Sequence, residues 1–444
     1  MKTNKCSCRA GKKRIAGIVV LLLAGSVLLE GCGWEQIRQV GREIAEYLPF
    51  LETEDESLTA ESIPADKEAT EGGADEEDTS LQFSLFDVIK GEKYQDNLPQ
   101  TESLFRNPFR TGYYYTCLNE EEAAIYDALL AITDDPTSTE YRKGIKTSQD
   151  PQSDVFTDEV SRAYQAMIFD HPERFWFRKE SGIFGYYYPA VPNWNGEYTV
   201  EFRLTEIYTD YVTEMNRFNE AVDLFFADID LTQSQPVLAL QIHDKLVDMV
   251  TYDGSLADTF LGNGSGFDYG YTAYGALVEN SRGEAHTAVC DGYSYAYEYL
   301  LQQAGIMATR VGGRAGDSVE TAYPHSWNLV CLDGAWYETD VTWDDREVSV
   351  DPGDPAYDLY MEAMQDPYYW GKIRHHLFQL TTSEMAYFEP DDSYTYYTAN
   401  GYASFLGTSV HIRDTAENHE EKDVLSWLAP YAEGTTYTYD FYYE

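Results

Sequence analysis

The sequence predicts an α+β protein in which a helix carrying a cysteine packs on an antiparallel sheet carrying a histidine and an aspartate, preceded by an α/β domain. Three observations carry this reading. After Cys290 the residues Tyr293, Ala296, Tyr297, Leu300, Leu301 and Ala304 recur at helical spacing, and Gly305 stops the run. Ser326 to Leu332 and Ala335 to Val341 read as two strands joined by Asp333-Gly334, a two-residue turn suited to a hairpin. Between residues 81 and 235, helical and alternating stretches are interleaved.

Taken in order, the chain begins with a targeting segment. Lys12, Lys13 and Arg14 precede an apolar run from Ile15 to Leu29. Leu29-Glu30-Gly31-Cys32 resembles a bacterial lipobox. That resemblance implies removal of residues 1–31 as a signal peptide, a lipid on Cys32, and a lipoprotein held on the outer face of the bacterial cell membrane. The alternative is an uncleaved anchor, for which about 15 apolar residues are short against the roughly 20 of a full span. Residues 32–80 continue as a lipidated N-terminus and tether: Glu35 to Ser80 holds 15 acidic and 3 basic residues and little apolar surface to bury.

Residues 81–235 form the N-terminal α/β domain, to which the sequence assigns no role. Asn119 caps a helix opened by Glu120, Glu121 and Glu122, with Ile125, Leu129 and Ile132 on one side. A second helix spans Asp158 to Phe169 and ends before His171-Pro172. Tyr198 to Leu204 alternates as a strand, and Val212, Met215, Phe218, Val222 and Phe225 mark an amphipathic helix. Pro236 opens the next unit, residues 236–388, with Ile242, Leu246, Met249 and Val250 on one helix face. Gly262 to Gly270 lacks the phosphate-loop pattern and reads as a flexible rim of a cleft. Met307 to Arg314 is the strand after the Cys290 helix, and Leu377 to Leu380 a last core strand. Residues 389–444 read as an acidic, Tyr-rich extension.

Cys290, His325 and Asp340 carry the candidate chemistry. Cys, His and Asp in that order are one way to write a nucleophile, its base and the base's orienter. A cysteine at a helix N-terminus meets free backbone N–H groups and the helix dipole, which favour thiolate over thiol. The Cys290 backbone N–H is also a candidate oxyanion donor, and a second donor is unassigned. A turn centred on Asp333-Gly334 pairs residues whose numbers sum to 667, so Trp327 faces Asp340 and His325 faces Thr342. His325 and Asp340 are then diagonal neighbours on one face, roughly 7–8 Å apart. A slip of one residue would put them on opposite faces. The competing reading of Cys290 is a buried structural thiol.

Several motifs follow one another: T-A-Y-G-A-L (Thr272 to Leu277), A-V-C-D-G-Y (Ala288 to Tyr293), H-S-W-N-L-V (His325 to Val330) and D-G-A-W-Y-E-T-D-V-T-W-D-D (Asp333 to Asp345). From Cys290 to His325 is 35 residues, and from there to Asp340 is 15. Over about Gln241 to Phe388 this pattern resembles the transglutaminase-like superfamily, which has a papain-like cysteine-protease fold. The resemblance implies Cys290 as nucleophile, His325 as base and Asp340 as orienting acid. It further implies an extracellular enzyme, without cofactor, that transfers acyl groups from amide bonds of proteins or peptides to water or to an amine. A catalytically silent surface binding module on the same fold is the alternative. The upstream Gln or Trp that such relatives use in the oxyanion hole has no match here. Ala163 to Trp176 resembles regions that precede such domains in bacterial surface proteins.

Charge and cysteines set bounds. The chain has 31 basic and 77 acidic residues, net −46, a sign that excludes nucleic-acid binding and suits a solvated surface. Beyond the targeting segment the cysteines are Cys32, Cys117, Cys290 and Cys331. Only Cys117 and Cys331 are left to pair, and no disulfide is expected. Cys331 shares a hairpin face with Trp327 and Leu329, which predicts core. His375 and His376, as adjacent strand residues, face opposite ways, so no metal is expected there. His286 falls in a loop before Cys290. The tyrosine runs at 113–115 and 186–188 are expected to fill half-exposed sheet faces.

Overall fold

The computed structural model describes residues 86–90, 104–178, 183–261, 266–345, 352–354, 357–399, 401–417 and 424–442. Cys32, the signal peptide and the tether lie outside them. The described residues are mixed helix and sheet, and none of their helices is long and apolar enough to cross a membrane.

Local signals build the first half. Asn119 caps α1 (Glu120–Ile132): its Oδ1 accepts the N–H groups of Glu121 and Glu122, while Glu122 Oε2 accepts the Asn119 N–H. Helix α2 (Asp154–Asp170) starts a turn earlier than the apolar spacing implied, because the Ser153 hydroxyl accepts the Phe156 N–H. Strands β1 (Phe86–Lys90), β2 (Arg142–Thr147), β3 (Phe184–Tyr188) and β4 (Tyr198–Leu204) form a sheet in the order β1-β3-β4-β2. Its β1–β3 pair is parallel and the others are antiparallel. The β3 tyrosines are buried on both faces rather than half-exposed, since Tyr186 packs between Phe156 and Phe202. Helix α3 (Tyr211–Phe226) then buries Met215, Phe218, Val222 and Phe225.

The second half opens with α4 (Gln235–Met249), β5 (Thr251–Tyr252), α5 (Gly254–Leu261), α6 (Ala273–Leu277) and β6 (Thr287–Ala288). The cysteine helix α7 spans Cys290–Gln303. It ends as its glycine predicts: Gly305 has φ +77°, its N–H bonds Gln302 O, and the Ile306 N–H bonds Leu301 O. Residues 262–265 of the Gly-rich stretch lie outside the described residues, and its far end packs against α7. Gly270 is buried, its carbonyl accepts the Val289 N–H at 3.1 Å, and a Cβ on Gly292 would lie 2.5 Å from that same oxygen. Glycine at 292 therefore lets the first turn of α7 seat against this loop.

Strands β7 (Ala308–Gly316), β8 (Tyr323–Leu332) and β9 (Ala335–Thr339) follow, with Asp333 at φ +49° and Gly334 at φ +88° making the primed turn between β8 and β9. The register is the expected one from Leu332↔Ala335 to Asn328↔Thr339, where it stops. The Trp327–Asp340 and His325–Thr342 pairs do not form. Asp340 instead leaves the ladder at φ −112°, ψ 88° to cap the short helix α8 (Val341–Asp344). Along β8, Val330 and Leu332 join the core beneath α7, while Trp327 and Leu329 face a second cluster with Val311, Leu377 and Met385. Cys331, one pair from the turn and opposite Trp336, is half-buried rather than core.

Helices α9 (Tyr357–Met364), α10 (Pro367–Arg374) and α11 (Thr382–Ala386) lead to β10 (Tyr387–Phe388), β11 (Thr395–Thr398), β12 (Gly401–Ser404) and β13 (Ser409–Arg413). Leu377 to Leu380 is not a strand: Gln379 has φ +55°, which breaks the extended run, and only Leu380 bridges Glu338. The five-stranded sheet runs β10-β13-β7-β8-β9, antiparallel throughout. Residues 389–444, expected as an extension, thus supply β13, an inner strand beside β7. The two halves also share one core, which runs from Tyr114 through Tyr293 and Leu300 to Leu425. Tyr114 Oη donates to Arg310 O at 2.8 Å, and Arg178 Nη1 to Tyr271 O at 3.1 Å.

Candidate active site

Cys290 is the first residue of α7, half-buried, and Val289 offers no side-chain cap. The first N–H engaged inside the helix is that of Tyr293, bonded to Val289 O. The N–H groups of Cys290, Asp291 and Gly292 therefore point out of the helix end, where an anion is favoured.

Two devices fix this helix end against β8. The Asp291 carboxylate takes Arg310 Nη2 at 2.6 Å, Arg310 Nε at 3.0 Å and the Ser326 hydroxyl at 2.8 Å. Burial works against its charge, but Arg310 and Arg178 hold the carboxyl below the usual range. One turn on, Ser294 Oγ donates to Ser326 O, and Asn328 Nδ2 to Ser294 O. Both devices hold Ser326, the residue after His325, so one clamp sets the cysteine and the histidine.

His325 is buried and stacks on Trp327 with ring centroids 6.0 Å apart. Its Nε2 donates to Asp340 Oδ2 at 2.7 Å, which leaves Nδ1 for Cys290, near enough to act on the charge of the ring. Burial opposes a charged ring, but the Asp340 charge and hydrogen bond, helped by Cys290, push the imidazole up to about 10. At neutral pH it is an imidazolium.

Asp340 has no exposed surface and four donors. Oδ1 accepts the N–H groups of Thr342 and Trp343 at the start of α8. Oδ2 accepts His325 Nε2 and, at 2.9 Å, Nε2 of His411 on β13. Burial penalises its charge, but His325 and His411 hold the carboxyl well below the usual range. Sequence reasoning missed His411. Its only signal is the alternation Val410-His411-Ile412, hidden in an acidic, Tyr-rich segment.

His325, Asp340 and His411 have the composition of a metal site, but hydrogen bonds account for all the contacts. Nδ1 of His411 has no partner, so a neutral ring keeps its hydrogen on Nε2, where Asp340 receives it. Burial above all, together with the charge of His325, holds the His411 imidazole below its usual range despite Asp340.

The mouth of the site is aromatic. The β5–β6 ladder sets Tyr252 beside Ala288, two residues before Cys290. The hydroxyls of Tyr252, Tyr271 and Tyr323 are raised first by burial, and each also feels the charge of Cys290. The ring of Trp343 lies 5.8 Å from that of His325. His286 is turned away at φ +49°, its Nδ1 on Ala276 O. The arrangement is chemically a thiol with a charged imidazole beside it, an orienting carboxylate behind, and the N–H groups of a helix start in front.

No protein-family model matches the chain, and no curated protein matches it. Solved structures that match include one described as "Crystal structure of a TGase", 14% identical, covering 49% of this chain and 56% of that one with a TM-score of 0.24. Another is described as "a Putative Cysteine Protease from Cytophaga hutchinsonii", 14% identical, covering 33% of this chain and 52% of that one with a TM-score of 0.19. The chain spans about half the length of these two solved chains.

Proposed function

We propose that the chain is an extracellular cysteine-dependent acyl-transfer enzyme acting on amide bonds of proteins or peptides. The observation that carries this is Cys290 at the first position of α7, close to a His325 whose far nitrogen is held by Asp340. The sulfur, as thiolate, attacks the amide carbonyl carbon. The carbonyl oxygen becomes an oxyanion facing the N–H groups at the start of α7. His325 gives its Nδ1 proton to the leaving amine, the C–N bond breaks and a thioester remains. Water or a second amine then attacks the thioester, losing its proton to His325 and regenerating the thiolate. Water makes the enzyme a peptidase or amidase; an amine makes it a cross-linker.

Iodoacetamide at neutral pH tests the nucleophile. Cys290 is expected to be alkylated at least about ten-fold faster than Cys117 or Cys331, both of which burial holds in the thiol form. Equal rates, read by peptide mass spectrometry, would overturn the reading. If Cys290 is alkylated but no amide turns over while peptides still bind at the cleft, the silent binding module takes its place.

The same proposal includes a lipid anchor at Cys32, supported by the Leu29 to Cys32 stretch. Mass spectrometry of the mature N-terminus should find a diacylglyceryl group on Cys32. An unlipidated start elsewhere rejects the anchor while leaving export intact.

A further inference from the structure

We infer that His243, Asp244 and His375 form a binding site for one divalent transition-metal ion of the zinc class, outside the active site. His243 and Asp244 lie on α4, and His375 caps the C-terminal end of α10. His375 is thus not in a strand, and its neighbour His376 turns away to Asp344. The three ligand atoms lie within 4.8 Å of one another.

Each of the two histidines has one ring nitrogen engaged away from Asp244. His375 Nδ1 lies 2.6 Å from Gly371 O, a pure acceptor, so this nitrogen carries the hydrogen. His243 Nε2 lies 3.2 Å from Asp344 Oδ2. A carboxylate oxygen can only accept there, and the other oxygen of Asp344 takes the Leu377 N–H. The remaining nitrogens, His243 Nδ1 and His375 Nε2, converge on one oxygen, Asp244 Oδ1, at 3.1 and 2.5 Å. The two rings stand with centroids 4.8 Å apart and aim these nitrogens at one carboxylate oxygen, a two-histidine, one-carboxylate donor set that a single divalent ion can join.

The surroundings are those of metal ligands. One histidine has its far nitrogen on a carboxylate and the other on a backbone carbonyl, the two partners that orient ligating imidazoles and fix their tautomers. The His325–Asp340–His411 group lacks this feature, because the far nitrogen of His411 has no acceptor. Phe378 packs edge-on at 4.8 Å from His243, and Tyr439 stacks at 4.1 Å on His375, so the rings are held by apolar walls. The Asp244 side chain is 46% exposed. It can swing out to the roughly 3.3 Å ligand spacing of a tetrahedral ion, leaving the fourth position to solvent.

The test uses the whole protein stripped with EDTA and titrated with Zn²⁺ by calorimetry, with Co²⁺ as the optical probe. The expected result is one ion per chain, Co²⁺ absorption of tetrahedral intensity, and affinity at least about ten-fold weaker in both His375→Gln and Asp244→Asn. Binding should be unchanged in Cys290→Ala, which separates this site from zinc held by the active-site thiol. No stoichiometric binding, or unchanged affinity in either ligand variant, overturns the inference. If His375→Gln fails to fold by circular dichroism, Asp244→Asn decides, since its side chain is half exposed.

Discussion

On the proposed mechanism Cys290→Ala should abolish turnover of an amide substrate, and His325→Ala added to it should cost little more. The alanine removes the only atom that forms the acyl-enzyme, so the loss should approach the roughly million-fold seen when members of such a unit are deleted. His325→Ala alone should be nearly as severe, because the thiolate loses its counter-charge and the leaving amine its proton donor. Additive losses in the double variant would mean that the two side chains do not act together. The half-buried Cys290 contributes little packing, so the melting temperature should hardly move, which separates a chemical loss from unfolding. The pH dependence has a definite sign. The His325 pKa is raised from 6.5 to about 10 in the folded chain. Acylation should therefore persist through neutral pH and fall as pH rises through about 10, when the ring gives up the proton that the leaving amine needs. Stability moves the same way: the gain from the charged ring is complete below 6.5 and is lost as pH rises toward about 10. Rate constants and thermal melts across that window check both statements.

What was legible in the sequence was local. The run after Cys290 fixed a helix and Gly305 its end, because periodicity and a left-handed glycine act over a few residues. Asp333-Gly334 fixed the turn and its register for the same reason. The ladder nevertheless ends at Thr339 and does not continue to Val341. The Asp340 side chain accepts two N–H groups of the next turn, and that capping ends the strand at Thr339. Contact with His325 survives because the carboxylate, not the ladder, reaches it. His411 was illegible for another reason. It comes 71 residues after Asp340, on a strand whose place beside β7 only the finished sheet reveals. Leu377 to Leu380 looked like a strand from its apolar content, yet it is buried as a turn whose backbone satisfies itself against Glu338 and Asp340.

Asp340→Asn should cost activity on the order of a thousand- to ten-thousand-fold, as an orienting acid does when its amide forces the wrong tautomer. A Cys–His pair can persist without its acid, which on its own would make this change milder than loss of the cysteine or histidine. The four donors around Asp340 alter that expectation. An asparagine has one acceptor oxygen and one donor nitrogen. If the oxygen stays on Thr342 and Trp343, the NH₂ group meets the Nε2 atoms of both His325 and His411. Each ring must then present a lone pair at Nε2. His325 moves its hydrogen to Nδ1, facing the thiol, and can no longer take the thiol's proton. If the amide flips, its NH₂ group faces two backbone N–H groups and α8 loses its cap. Either way the imidazolium is no longer favoured, so the alkaline limb of the rate profile should move down from about 10 toward 6.5. Asp340→Ala removes the whole carboxylate from a fully buried site and leaves two histidines unpartnered, a loss of about 3–5 kcal/mol of stability. His411→Phe fills the ring's place without its donor. It should leave the Asp340–His325 bond intact and lower activity far less than Asp340→Asn does. Rate–pH profiles and denaturant melts of the three variants check the set, and an Asp340→Asn enzyme with a wild-type profile would remove Asp340 from the mechanism.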